Sequence, residues 1–367
     1  MSSPHPEPVE GRGRSRLDRR SLLLSALALA ACGGTGARSQ APRAAPALRE
    51  ILPFPLGASV MTGQFADAQH AVLLRRHFSQ LTPEWELKME YVLQPDGAYR
   101  FDAPDRLAQL ARANDQRFYG TTLVWYSQEN PAFQALDGRR DAFANAYRNY
   151  LTTVVRRYPQ AVAWDVVNEP ILEEGGGLRE HLFSRNLGRI EHMTEAFRIT
   201  EAADPRPLRV LNDYHLESKP AKRRSFLELV DTLLAADAPV SCLGTQTHMA
   251  VDQDPRQIGE TIRLLGAYGL PLHVSELDVS LQGVSHFTPR RELIETQARL
   301  VGAVLDAFTA LPSRQQFALT LWGVRDSDSW LRGPAGGNPP IPDQPLLFDD
   351  AGEPKPAFWA LADRVSR

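Results

Sequence analysis

Two glutamates, Glu169 and Glu276, each close a short apolar run: Trp164-Asp165-Val166-Val167-Asn168-Glu169 and His273-Val274-Ser275-Glu276. A pair of carboxyls is what cleaving a glycosidic bond with retention requires. One must hold a proton for the leaving oxygen while the other, ionised, attacks the anomeric carbon, and the two must stand about 5–5.5 Å apart across the bond. A single glutamate at a strand end is more often an ion-pair partner than a catalyst. Two, each beside hydrogen-bonding neighbours, favour chemistry.

Those neighbours have roles of their own. Asn168 can hydrogen-bond a sugar hydroxyl beside the reacting carbon, an interaction that strengthens in the transition state. His248 and Asp278 can reach one another and jointly orient the Glu276 carboxylate, and Gln246 offers a second amide near the proton donor. For His248 the bland alternative is a core histidine satisfied by a backbone carbonyl. Trp125, Trp322 and Trp330 can stack flat rings on pyranose faces, with core packing as the alternative for each. A bulky ring near the reacting sugar crowds a hydroxymethyl group, which favours xylose over glucose.

Residues so far apart in sequence need a scaffold that converges them. Eight apolar runs supply one: Leu56–Val60, Phe78–Thr82, Phe118–Trp125, Val162–Asn168, Leu208–Asp213, Cys242–His248, Leu272–Leu277 and Phe317–Gly323. Between them lie segments with helical spacing of apolar residues, such as Arg140–Tyr158, Ile190–Ala203, Lys222–Ala236 and Leu293–Leu311. Strand–helix alternation repeated eight times predicts an α/β fold, a single (β/α)8 TIM barrel spanning residues 51–367. A doubly wound open sheet is the rival, but no Gly-rich dinucleotide loop follows an early strand. In a barrel the catalytic groups sit at the C-terminal strand ends, where these polar residues cluster.

The chain of 367 residues has a formal charge of −3, and its 23% charged residues form no basic stripe with interleaved aromatics. This excludes nucleic acid as the expected partner and suits a neutral polymer. Arg19-Arg20 precedes the apolar run Ser21–Ala31, which has the length of a signal-peptide core and is too short to span a bilayer. Residues 1–31 are thus expected to be a twin-arginine export signal. Leu29-Ala30-Ala31-Cys32 resembles a lipobox, so Cys32 is the expected lipid attachment site of a periplasmic or outer-membrane lipoprotein, with plain secretion as the alternative. Residues 32–50 read as a flexible tether. Cys242 lies in an apolar strand and reads as a buried, inert thiol.

Six collinear segments carry a resemblance: W-D-V-V-N-E-P (164–170), L-N-D-Y (211–214), G-T-Q-T-H (244–248), S-E-L-D (275–278), W-G-V-R-D-S-D-S-W (322–330) and P-K-P-A-F (354–358). Together they resemble glycoside hydrolase family 10, the endo-β-1,4-xylanases, from about Phe54 to the C-terminus. The resemblance implies a retaining double displacement, with Glu169 as acid/base, Glu276 as nucleophile, and Asn168, Gln246, His248 and Asp278 as supports. T-L-V-W with Ser127-Gln128 also matches a family motif. Glu84 and Lys88, on the loop after the second strand, are implied to bind sugar on the non-reducing side, and Trp125 and Gln128 to join them. Trp85, Thr121 and Tyr126 depart from the family pattern, which has Asn, His and His at these places.

No H-E-x-x-H, C-x-x-C or P-loop is present, so neither metal nor cofactor is expected. The expected partner is xylan or a related β-glycan, acted on by a monomer. Two alternatives stand beside a xylanase: the same chemistry on another β-linked glycan or glycoside, and a non-catalytic sugar-binding lipoprotein. Only an enzyme needs both glutamates.

Overall fold

Each apolar run becomes a strand, because β-branched and aromatic side chains pack well on a pleated surface covered on both faces. The computed structural model describes residues 43–285, 287–333, 336–337 and 341–365. The export signal and Cys32 lie outside them. Ten strands are present: β1 (Leu56–Val60), β2 (Gln80–Pro83), β3 (Arg117–Gly120), β4 (Val124–Trp125), β5 (Ala161–Asn168), β6 (Leu208–Asp213), β7 (Cys242–Thr245), β8 (His248–Ala250), β9 (Leu272–Ser280) and β10 (Gln316–Leu321). All pair in parallel, and β10 bonds to both β9 and β1, so the sheet closes on itself.

The strands form eight staves, because two of the expected long strands are each divided. Phe118–Trp125 breaks between β3 and β4, yet both pieces pair with β5. Cys242–His248 breaks at Gln246-Thr247, where Thr247 takes a positive φ of 61°. Its hydroxyl bonds Glu217 Oε1 at 3.2 Å, and the Thr245 hydroxyl reaches the same oxygen at 2.5 Å. A buried glutamate therefore pins the kink that turns Gln246 and His248 toward the barrel mouth.

Helices cover the outside. They run over Arg140–Arg157, Glu191–Ala203, Pro220–Ala235 and Arg290–Thr309, within a few residues of the sequence expectation. Pro220 and Pro255 begin their helices in the first turn, where a missing N–H costs nothing. Asp254 caps the latter by accepting from Arg256 N. Phe78, Leu107, Tyr150, Phe226, Val304 and Phe308 are buried between strands and helices. Each such side chain contributes about 1.5–3 kcal/mol by leaving water. Cys242 is buried in the barrel interior beside Tyr119, Ala163 and Val210.

The tether expectation needs one correction. The barrel unit begins at Ala45 rather than Ile51. Leu48 opens a short helix, Leu48–Ile51, and is fully buried, with its backbone N–H 3.4 Å from His77 Nδ1.

Candidate active site

Glu169 follows β5 directly and sits in the left-handed region, φ 56°. A non-glycine residue there costs of order 1–3 kcal/mol and persists only where its surroundings hold it. Here they do. Its N–H donates to Asn212 O on β6 at 2.8 Å, and its carbonyl accepts from Arg179 Nε at 3.0 Å. The side chain is thereby aimed into the mouth. Gln246 Nε2 donates to its Oε1 at 2.9 Å, and Asn168 Nδ2 reaches the same oxygen at 3.3 Å.

Glu276 lies within β9, three staves away in the sheet order. Asn212 connects the two sides. Its fully buried amide sends Nδ2 to Glu276 Oε1 at 3.2 Å and to Asn168 Oδ1 at 3.1 Å. Its Oδ1 accepts from the Ser275 hydroxyl at 2.9 Å. The second Glu276 oxygen lies 3.4 Å from His248 Nε2, and His248 Nδ1 lies 2.9 Å from Asp278 Oδ1. Asp278 Oδ2 in turn accepts from Trp330 Nε1 at 2.8 Å. Burial alone would lower the His248 pKa, but the Asp278 and Glu276 carboxylates outweigh it and push it up to about 10.

These groups open into a cleft of 540 Å³, lined by Lys88, Thr121, Trp125, Tyr126, Asn168 and Glu169. Tyr214, Gln246, His248, Glu276, Trp322 and Trp330 line it as well. Lys88 Nζ lies 4.7 Å from the centroid of Trp125 and 5.7 Å from that of Trp322, a cation held between two rings. Beneath the cleft, burial pushes the Asp165 carboxyl up to about 7, against hydroxyls of Tyr119 and Thr121 that hold it down. The Tyr119 hydroxyl donates to it at 2.5 Å. Behind Glu169, the fully buried ion pair of Lys222 and Asp213 stands at 2.8 Å.

Two carboxyls in one aromatic cleft, joined by amides, can flank a sugar linkage. The model of glycosyl hydrolase family 10 matches residues 51–364. The chain belongs to that family. An endo-1,4-β-xylanase of Geobacillus stearothermophilus is 31% identical over 333 residues, covering 87% of this chain and 98% of the relative. An exoglucanase of Acetivibrio thermocellus is 30% identical over 326 residues, 84% of this chain. The chain spans only 28% of that relative's length, and similarly small shares of others. A solved family 10 structure from Paenibacillus barcinonensis superposes with TM-score 0.79 at 31% identity, covering 88% of this chain and 98% of that one.

In this family 10 chain not every expected residue reaches the cleft wall. Gln128 is not on that wall: its Oε1 accepts from Glu90 N at 3.1 Å, which braces the loop after β2. Glu84 is buried outside the wall and accepts from the Ser59 hydroxyl at 3.3 Å. Burial pushes its carboxyl up to about 7, with Lys88 opposing. Trp85 turns outward, 40% exposed, bonded through Nε1 to Glu90 and set edge-on to Tyr91. Sequence reasoning placed Asn212 at a strand end without assigning it a role, and it did not single out Arg179. Among the described residues no His, Cys, Asp or Glu cluster is arranged to hold a metal.

Proposed function

We propose that the chain is a retaining endo-1,4-β-xylanase in which Glu169 is the acid/base and Glu276 the nucleophile. The observation that carries this is the unbroken run of contacts from Glu169 through Gln246, Asn168 and Asn212 to Glu276. Ionised Glu276 attacks the anomeric carbon while Glu169 protonates the departing oxygen, leaving a covalent glycosyl–enzyme. Glu169, now ionised, takes a proton from water, which attacks the same carbon and frees Glu276. Asn168 is placed for a transition-state hydrogen bond to the hydroxyl beside the reacting carbon.

The named activity of the Geobacillus stearothermophilus relative supports xylan as substrate. So do Trp125, Trp322 and Trp330 on the cleft wall, since bulky rings beside a sugar crowd a hydroxymethyl group, which xylose lacks. A reducing-sugar assay across xylan, mixed-linkage glucan, cellulose and mannan tests it. Fastest release from xylan, in oligosaccharides rather than monomers, is expected. Faster release from a glucan would contradict the substrate assignment, and no release from any polymer would contradict the enzyme.

We also propose that Arg19-Arg20 directs export and that Cys32 carries lipid. The wild type should incorporate labelled fatty acid and partition into detergent, and Cys32→Ala should do neither. Identical soluble behaviour of the two proteins would overturn this.

A further inference from the structure

The floor of the barrel holds a larger hollow, of 1040 Å³. It is bounded by residues that lead into β3, β5 and β6, so it opens on the end opposite the catalytic cleft. Five arginines line it: Arg112, Arg117, Arg156, Arg157 and Arg206. Against them stand two carboxylates, Asp105 and Asp115. The chain as a whole carries −3, so this end departs in sign from the average of the molecule.

Neutralisation here is incomplete. Arg157 pairs with Asp105 at 2.5 Å and Arg206 with Asp204 at 2.6 Å. Asp115 is 4.0 Å from Arg49, on the short helix Leu48–Ile51. Arg117 crosses the floor to lay its guanidinium 4.3 Å from the Phe317 ring centroid, donating to the Phe317 carbonyl at 3.2 Å. Neither contact supplies a negative charge. The side chains of Arg112 and Arg156 make no ion pair with any described residue. The guanidinium groups of Arg112 and Arg156 thus border one hollow without a carboxylate partner, while that of Arg117 is taken up by a ring and a carbonyl; guanidinium forks match phosphate oxygens in pairs.

We propose that this floor docks on an anionic phospholipid surface, with the catalytic cleft turned away from the bilayer. The ligand chemistry is the phosphodiester headgroup. An acidic glycan is the weaker fit, because a chain held on the floor lies at the wrong end of the barrel to enter the cleft. The chain also enters the barrel at this rim, where Arg49 donates to Asn114 O and to Asp115 O. The binding itself does not depend on lipidation or on the substrate reading.

The test uses the full chain with Cys32→Ala, so that no acyl chain contributes. It is sedimented with vesicles of phosphatidylcholine alone or mixed with phosphatidylglycerol. Binding is expected only to the mixed vesicles and should weaken as salt rises. Arg112→Gln with Arg156→Gln should lower partitioning about fivefold per arginine, and lysine at both positions should largely restore it. Polysaccharide hydrolysis should be unchanged in all variants, which also checks their folding. No binding to the mixed vesicles, equal binding by the glutamine variant, or binding only to a polygalacturonate control would each overturn the proposal.

Discussion

His248 holds Nδ1 2.9 Å from Asp278 Oδ1, which leaves Nε2 pointing at the Glu276 carboxylate. Asp278 thereby fixes both the orientation and the charge of the ring. A charged hydrogen bond of this kind is worth about 1.5–3 kcal/mol. Asp278→Asn should therefore cost roughly 10- to 100-fold in kcat/KM, with the alkaline limb of the pH profile moved down. The stability effect has a definite sign. The pKa of His248 is raised from 6.5 to about 10, so its ion pairing is fully present below 6.5 and is lost as pH rises through 10. Melting curves of wild type and His248→Gln should differ most below pH 6.5 and converge toward pH 10. A gap that does not vary with pH would contradict a charged imidazole.

Asn212 is the joint between the two catalytic sides, and its substitution should reveal that. Asn212→Ala leaves Glu276 Oε1 without its amide donor and the Ser275 hydroxyl without its acceptor, while Asn168 Oδ1 keeps only Gln246 Nε2; each orphaned buried group costs about 1–3 kcal/mol. Turnover should fall more than KM rises, because the substrate-stacking rings are untouched. Gly244 offers an independent route to the same effect. A Cβ there would lie 2.3 Å from Asn212 Oδ1, so Gly244→Ala should displace the amide and copy the Asn212→Ala kinetics. If Gly244→Ala retains full turnover, Asn212 is not the joint described.

The barrel was legible in the sequence because strand and helix patterns are local and each apolar run had to be buried. So was the meeting of Glu169, Glu276, Gln246, His248 and Asp278 at one cleft, since each stands near the end of a strand. What the sequence hid depends on partners far along the chain. Glu217 sits in a loop, and only the fold brings it to the Thr245 and Thr247 hydroxyls that kink the seventh stave. Gln128 was expected on the cleft wall, but its Oε1 accepts from the Glu90 backbone, a contact no spacing encodes. Leu48 was lost in a stretch rich in Ala, Pro and Arg, where a single buried leucine gives no periodicity.

Asp165 should make stability depend on pH against the usual trend. Burial pushes its pKa up to about 7, with the Glu276 charge adding. Between the unfolded value near 3.9 and 7, the folded chain holds a proton that the unfolded chain has lost. That contribution is complete at low pH and disappears as pH rises to 7, a change of a few kcal/mol. Asp165→Asn removes it, so the variant should lose less stability than wild type between pH 4 and pH 7. Parallel Tm–pH curves for the two proteins would contradict the shift.

Thr121 and Trp85 separate in the structure although both depart from the family pattern. Thr121 is on the cleft wall with its side chain bonded to Asp165, whereas Trp85 faces outward beside Glu90 and Tyr91. Trp85→Asn should therefore change KM on xylobiosides less than twofold, roughly the effect of a surface substitution. Thr121→Val removes a hydrogen bond to the interior carboxyl, worth about 0.5–1.5 kcal/mol, and should shift the pH profile as well as the rate. A larger kinetic effect from Trp85→Asn than from Thr121→Val would mean the loop after β2 closes over the sugar.

The assignment of Glu169 and Glu276 to different tasks is tested most directly by chemical rescue with azide. On a xyloside with an activated leaving group, Glu169→Ala should regain turnover with azide and release the β-glycosyl azide. The small anion then enters the space left by the acid/base after Glu276 has formed its covalent intermediate. Glu276→Ala should instead give the α-azide, since the anion takes the nucleophile's place. The same anomer from both variants, or the α-product from Glu169→Ala, would contradict the account.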